Sequence, residues 1–241
     1  MSDLSRVAVL DALDAVYGNV TAVAGGLGEA DLMRPSRCAG WAVADVLYHE
    51  LLDTRRALRT FASPVDQAPD CDDVSYWTSY APGNDGGSGD GASSGGALTY
   101  AEESAAHARY VRIAAAAYPP GALAWEWSET AAAAVRAGRA CGHPAVTTQG
   151  HVLTMVDFAA TLAVEAAVHY LDLTVALPGT PAPEPASLAL VRRVLDGLLG
   201  APVPASWDDV TAALKGTGRE PLTEADRQAL GPSAGKFPLL A

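Results

Sequence analysis

Glu165 and His169 stand four residues apart in TMVDFAATLAVEAAVHYLDLTVAL, residues 154–177, and of all the groups in this chain they are the best placed to do chemistry. Side chains at i and i+4 on a helix are neighbours, so a carboxylate oxygen and an imidazole nitrogen could reach one divalent cation from a single wall. At about 100° per residue, Phe158, Leu162, Glu165, His169, Asp172 and Leu173 share one side of the cylinder. Burying an unpartnered carboxylate costs on the order of several kcal/mol, so something must compensate Glu165. Three compensations are open at this point: a metal ion, a direct hydrogen bond to His169, or an arginine from another helix. The Glu-x-x-x-His spacing is common in helices and selects none of them.

These residues need a helix to hold them, and the sequence supplies one. No Gly or Pro interrupts the run, Thr154 with Asp157 has the form of a capping box, and Pro178 ends the pattern. Upstream, Val9, Leu13, Val16, Val20 and Val23 give residues 3–24 an apolar seam, closed by Gly25 and Gly26. A second helix is expected over residues 40–61, GWAVADVLYHELLDTRRALRTF. Its His49 shares a stripe with Asp45, Leu52 and Asp53, too mixed for periodicity to send the imidazole inward. Thr99 with Glu102 opens a third helix, residues 100–118, on which His107 could line a cavity or face solvent.

Between the second and third helices the chain changes character. Residues 82–97 are rich in Gly, Ser and Asp, which predicts a mobile loop with no assignable role, while Tyr76, Trp77 and Tyr80 just before it are expected to anchor. Residues 121–141 are Ala-rich, with Ser128 and Glu129 expected to open a short helix, and PAVTTQGHVL reads as a short hairpin or extended excursion. His143 and His151 fall in that excursion, with solvent exposure as the default. Residues 179–186 form a Pro-rich linker, and residues 187–241 a small helical C-terminal appendage. In it a helix is expected from Ser187, a second from Trp207 and a third capped by Thr223 and Asp226.

Composition narrows the function classes. A net charge of −12 over 241 residues offers no basic stripe for nucleic acid. The N-terminal stretch is too polar for a secretory signal and no long charge-free apolar run follows, so no membrane partner is expected and the chain is placed in the cytoplasm. Three cysteines without a C-x-x-C pair suit a reducing compartment. No glycine-rich nucleotide loop or G-x-S-x-G elbow is present.

Four long helices with a long second-to-third connection predict an all-α four-helix bundle over residues 1–178, and such bundles hold metal sites between facing helices. Together, G-W-x-V-x-D-V-L-x-H, ending at His49, and E-x-x-x-H-x-x-D-L, from Glu165 to Leu173, resemble the mycothiol-dependent maleylpyruvate isomerase family of the DinB-like metalloprotein superfamily. The resemblance covers roughly residues 4–178 and implies a DinB-like bundle holding a divalent metal, usually zinc, on His49, Glu165 and His169. It further implies a low-molecular-weight thiol such as mycothiol, a small electrophilic substrate, and cis/trans isomerisation or S-conjugation as the reaction. Asp172 would orient a ligand imidazole, and Arg219, in the stretch LKGTGREPL, would reach the thiol cofactor; no other catalytic residue is singled out. A non-catalytic bundle that senses or stores a metal or ligand is the alternative.

Overall fold

The structure, a computed structural model, describes residues 4–80, 100–119 and 121–240. The loop expected over residues 82–97, the cap at Thr99 and the side chain of Tyr80 lie outside them. In chain order the elements are α1 (Arg6–Ala24), α2 (Glu29–Leu32), α3 (Val43–Phe61), a 3₁₀ turn (Ser75–Tyr80), α4 (Tyr100–Ala116), α5 (Ala122–Ala140), β1 (Ala145–Thr148), β2 (His151–Thr154) and α6 (Met155–Thr174). The C-terminal segment adds α7 (Pro185–Leu199), α8 (Asp209–Gly216), α9 (Glu224–Leu230) and a 3₁₀ turn (Gly231–Lys236).

The all-α, DinB-like class stands. The bundle is a ring in which α1 packs along α6, α6 on α3, α3 along α5 and α5 on α1. One member differs from the expectation. The fourth helix is α5, read from sequence as a short piece, whereas α4 packs against α3 outside the ring. Alanine is the strongest helix former, and Trp125 and Trp127, which precede the expected start at Ser128, sit inside α5 because they point opposite ways. Trp127 is fully buried, edge-on to Tyr17 at 5.3 Å with its indole N–H donating to Thr21 Oγ1 at 3.0 Å, while Trp125 is exposed. Gly121, with φ +78°, makes the left-handed entry into α5.

The core explains the apolar seams. Leu13, Val16 and Val20 of α1 meet Phe158, Leu162 and Leu173 of α6 in one buried cluster, each large side chain contributing roughly 1.5–3 kcal/mol. By length and composition α1 is the one described helix that could cross a bilayer, but this apolar face is spent inside the bundle. The C-terminal helices join the same core, with Leu188, Val191, Val194 and Leu195 of α7 buried against α6 and α1. α7 begins at Pro185, two residues ahead of the expected start, since proline at the first helical position is preset for the helix.

The excursion before α6 is an antiparallel hairpin pairing Ala145 with Thr154 and Thr148 with His151. Its two-residue turn has Gln149 at φ +47° and Gly150 at φ +78°, the paired positive φ of a type I′ turn. β2 runs straight into α6, and Thr154 Oγ1 accepts from the Asp157 N–H at 3.0 Å. Only that half of the expected box forms, because the Asp157 carboxylate instead accepts from the Thr154 hydroxyl at 2.6 Å.

Candidate metal centre

His49, Glu165 and His169 converge, each offering one donor atom within 4.8 Å of the others. Glu165 and His169 come from one face of α6, with Oε2 to Nε2 at 3.4 Å. His49 reaches them from α3, its ring 4.8 Å from that of His169 and nearly perpendicular to it. The mixed stripe of α3 is explained by what it faces. Asp45 caps the helix on the Ala42 N–H, and His49, Asp53 and Arg56 then line a polar cavity of about 420 Å³.

Two nitrogens and one carboxylate oxygen suit a zinc ion, whose bonds of about 2.0–2.1 Å at tetrahedral angles set ligand atoms roughly 3.3 Å apart. The Glu165–His169 spacing of 3.4 Å matches that, and the cavity supplies room for a further ligand. Glu165 and His169 also face each other directly as an ion pair at 3.4 Å, so these two groups compensate each other when no ion intervenes.

The other face of His169 is held hard. Its Nδ1 lies 3.0 Å from Asp172 Oδ2, and Asp172 is fully buried. Arg219 forks onto the same carboxylate, with Nε 2.9 Å from Oδ1 and Nη2 2.8 Å from Oδ2, and the Cys38 thiol donates to it at 3.2 Å. Cys38, His169 and Asp172 form a second cluster of metal-ligating groups, but Arg219 already neutralises its carboxylate. Asp172 therefore fixes the imidazole with Nε2 turned toward Glu165, the carboxylate–histidine support common behind metal ligands. Arg219 also lines the cavity, on a loop braced by Asp226. That carboxylate accepts from Lys215 Nζ at 2.5 Å, the Trp207 indole at 2.6 Å and the Thr223 N–H at 2.8 Å, tying α8 to α9 on either side of Arg219.

Charge states follow from these contacts. Burial and the neighbouring His169 bring His49 down to about 4, leaving it neutral as a ligand must be. Burial pushes Glu165 up, but His169 and His49 prevail and hold it at about 2. Burial opposes charge on His169, yet Asp172, Cys38 and Glu165 outweigh it and keep the imidazole well above its ordinary range. Burial would raise Asp172 too, and His169 and Arg219 drive it well below. Beside this set lies Glu50, 1% exposed and with Oε1 lacking a hydrogen-bond partner among the described residues, its carboxyl pushed well above the ordinary range by burial.

The family model of the mycothiol maleylpyruvate isomerase N-terminal domain matches residues 13–174. The chain belongs to that family. The matched stretch contains His49, Glu165, His169 and Asp172 and stops before Arg219. Searches among curated proteins and among solved structures returned no match.

Sequence reasoning left several residues of this family member's site unassigned. His107 of α4 lines the cavity and shares a hydrogen bond with His49, Nε2 to Nδ1 at 3.2 Å; its only signal was a histidine on a helix. Tyr76 and Trp77 are buried anchors, as expected, and line the cavity too. His151 is half-buried and not solvent-facing, since Ser79 and Asp70 hold its two nitrogens at 3.1 and 3.3 Å. None of those three lines the cavity; they stitch β2 to the segment before it.

Proposed function

We propose that the chain is a divalent-metal enzyme, with zinc as the metal, that uses mycothiol or a similar low-molecular-weight thiol to isomerise or S-conjugate a small electrophile. The observation that carries this reading is the convergence of His49, Glu165 and His169 on the lining of a cavity large enough for a small molecule. A bound zinc ion would supply Lewis acidity that deprotonates a coordinated thiol at neutral pH.

The chain's own groups do the rest. His49 enters neutral, and Glu165 enters ionised. His169 would hold the ion through a deprotonated Nε2 while keeping Nδ1–H on Asp172. Arg219 neutralises Asp172 without becoming a ligand, and with two of its nitrogens so committed its main task is positioning. Among the described residues the remaining Nη1 has only the Thr217 carbonyl, at 3.3 Å, and is the part of the guanidinium left for a cofactor oxygen. Three unpaired cysteines and a thiol cofactor alike call for a reducing, cytoplasmic setting.

The test is zinc reconstitution followed by elemental analysis, then turnover of a panel of electrophiles with and without mycothiol. One equivalent of zinc and thiol-dependent turnover are expected. Less than about half an equivalent removes the metal reading, whereas full zinc with no thiol-dependent turnover leaves a metal- or ligand-binding bundle.

A further inference from the structure

The cavity lining carries a further polar group that the metal set does not use. Gln149 lines the cavity from the tip of the hairpin, its backbone in the left-handed region at φ +47°. Gln149 Oε1 accepts from Arg56 Nη1 at 2.5 Å and from the Tyr76 hydroxyl at 2.5 Å. Arg56 is itself held by Asp53, 2.9 Å from Nη2, one turn back on α3. With both lone pairs of the oxygen taken, the orientation of the amide is set. Its Nε2 donates no hydrogen bond among the described residues, so two N–H donors remain for whatever fills the cavity.

The backbone beneath this amide is pinned from several sides. Asp70 exchanges hydrogen bonds with Val152, its N–H donating to the carbonyl at 2.9 Å and a carboxylate oxygen accepting from the N–H at 3.2 Å. The Val65 N–H donates to the Ala145 carbonyl at 3.2 Å, and the Thr147 N–H to the Ser63 carbonyl at 3.4 Å. A donor pair held this way needs little reorganisation on binding. Glycine or asparagine would meet the turn's backbone demand more cheaply than glutamine, so the position is occupied for its side chain.

We propose that Gln149, clamped by Arg56 and Tyr76, is a specificity-determining residue whose amide N–H groups hold an acceptor oxygen, carboxylate or carbonyl, of the molecule bound in the cavity. The inference rests on the cavity being the reaction site. The oxygen belongs either to the thiol cofactor or to the electrophile, and the test separates the two sources.

Zinc-reconstituted wild type, Gln149→Glu and Gln149→Gly are titrated calorimetrically with mycothiol and, separately, with maleylpyruvate, with zinc content and Tm measured alongside. Glu keeps the acceptor for Arg56 and Tyr76 and deletes the donors; Gly keeps the positive φ and deletes the side chain. Both variants are expected to retain zinc and to lose about tenfold or more in affinity for one probe, and the weakened arm names the source of the oxygen. Unchanged affinity for both probes in Gln149→Glu, or a loss explained by a collapse in Tm in both variants, overturns the assignment. Wild type that binds maleylpyruvate but not mycothiol sinks the thiol reading and leaves Gln149 decided by the other arm. Wild type that binds neither overturns both.

Discussion

The cavity has two unlike walls. The helical wall, from α3 and α6, carries ionisable groups whose charge is set by burial and by one another: neutral His49, ionised Glu165, and His169 gripped by Asp172. The hairpin wall carries Tyr76 and Gln149, neutral groups that reach the site from a 3₁₀ turn and a two-residue β-turn. Metal chemistry tolerates little positional error, and helices locked in a common core provide that precision. Recognition needs donors at the right spot on a surface that can change independently, and a turn on a rigid scaffold serves that purpose. If this division holds, damage to the helical wall removes the reaction, and damage to the hairpin wall changes only what is bound.

The harshest way to break the comparison is at the helical wall. His169→Ala and His49→Ala are each expected to drop zinc below about half an equivalent and to lower thiol-dependent turnover by about 10³-fold or more. Elemental analysis and steady-state kinetics check both. A variant that kept full zinc and full rate would remove that histidine from the metal set. His169→Ala should also destabilise the apo protein more than His49→Ala, because it strips a partner from the ionised Glu165 and from the fully buried Asp172 at once.

A subtler cut sharpens the picture of that wall. Asp172→Asn leaves every proposed ligand in place but weakens the hold on His169 Nδ1 and leaves Arg219 without its counter-charge. Zinc affinity should fall about 10–100-fold, measured by competition with a chelator. If Arg219 acts through Asp172, Asp172→Asn and Arg219→Ala combined should cost clearly less than the sum of the single losses. Simple additivity would mean that Arg219 serves the ligand directly.

The two walls also differ in how much of them could be read from sequence. Glu165, His169 and Asp172 announced themselves because they break an otherwise apolar helical face. His49 did not, since the stripe it shares with Asp45 and Asp53 lines a polar cavity, and polar periodicity looks the same whether it faces a cavity or solvent. It became visible only through the paired family motif. α5 was underestimated because Ser128 and Glu129 have the form of a helix start, when the helix already runs through Trp125 and Trp127, one exposed and the other buried in the bundle. A hairpin or an extended excursion was legible from β-branched residues around a Gly, but nothing in those residues says that Gln149 points back toward Arg56, 93 positions earlier. Such long-range placement arises from packing, and local pattern carries no record of it.

A change confined to the hairpin should therefore separate the walls. Gly150 sits at φ +78°, where a Cβ costs about 1 kcal/mol. Gly150→Ala is expected to lower Tm by about 2–4 °C and to weaken ligand binding, while zinc stays at one equivalent. Loss of zinc in that variant would show that the two walls are a single cooperative unit.

The smallest expected effect on zinc binding tests the brace behind Arg219. Burial would raise Asp226, but Lys215 and Thr223 outweigh it and hold the carboxyl well below its ordinary range. A carboxylate depressed in the folded state adds stability that is complete above its unfolded value of about 3.9 and is lost as pH falls through the folded one. Asp226→Asn should therefore cost about 2–5 °C in Tm at pH 7. The gap between variant and wild type should stay constant down to about pH 5 and narrow below about pH 4 as wild type takes up the proton. Because the ion pair joins α8 to α9 around the loop that carries Arg219, the same substitution should also weaken zinc binding slightly, through Arg219 and Asp172. A Tm gap that does not narrow at low pH would mean that Asp226 contributes through packing and neutral hydrogen bonds, and that Arg219 holds its place without it.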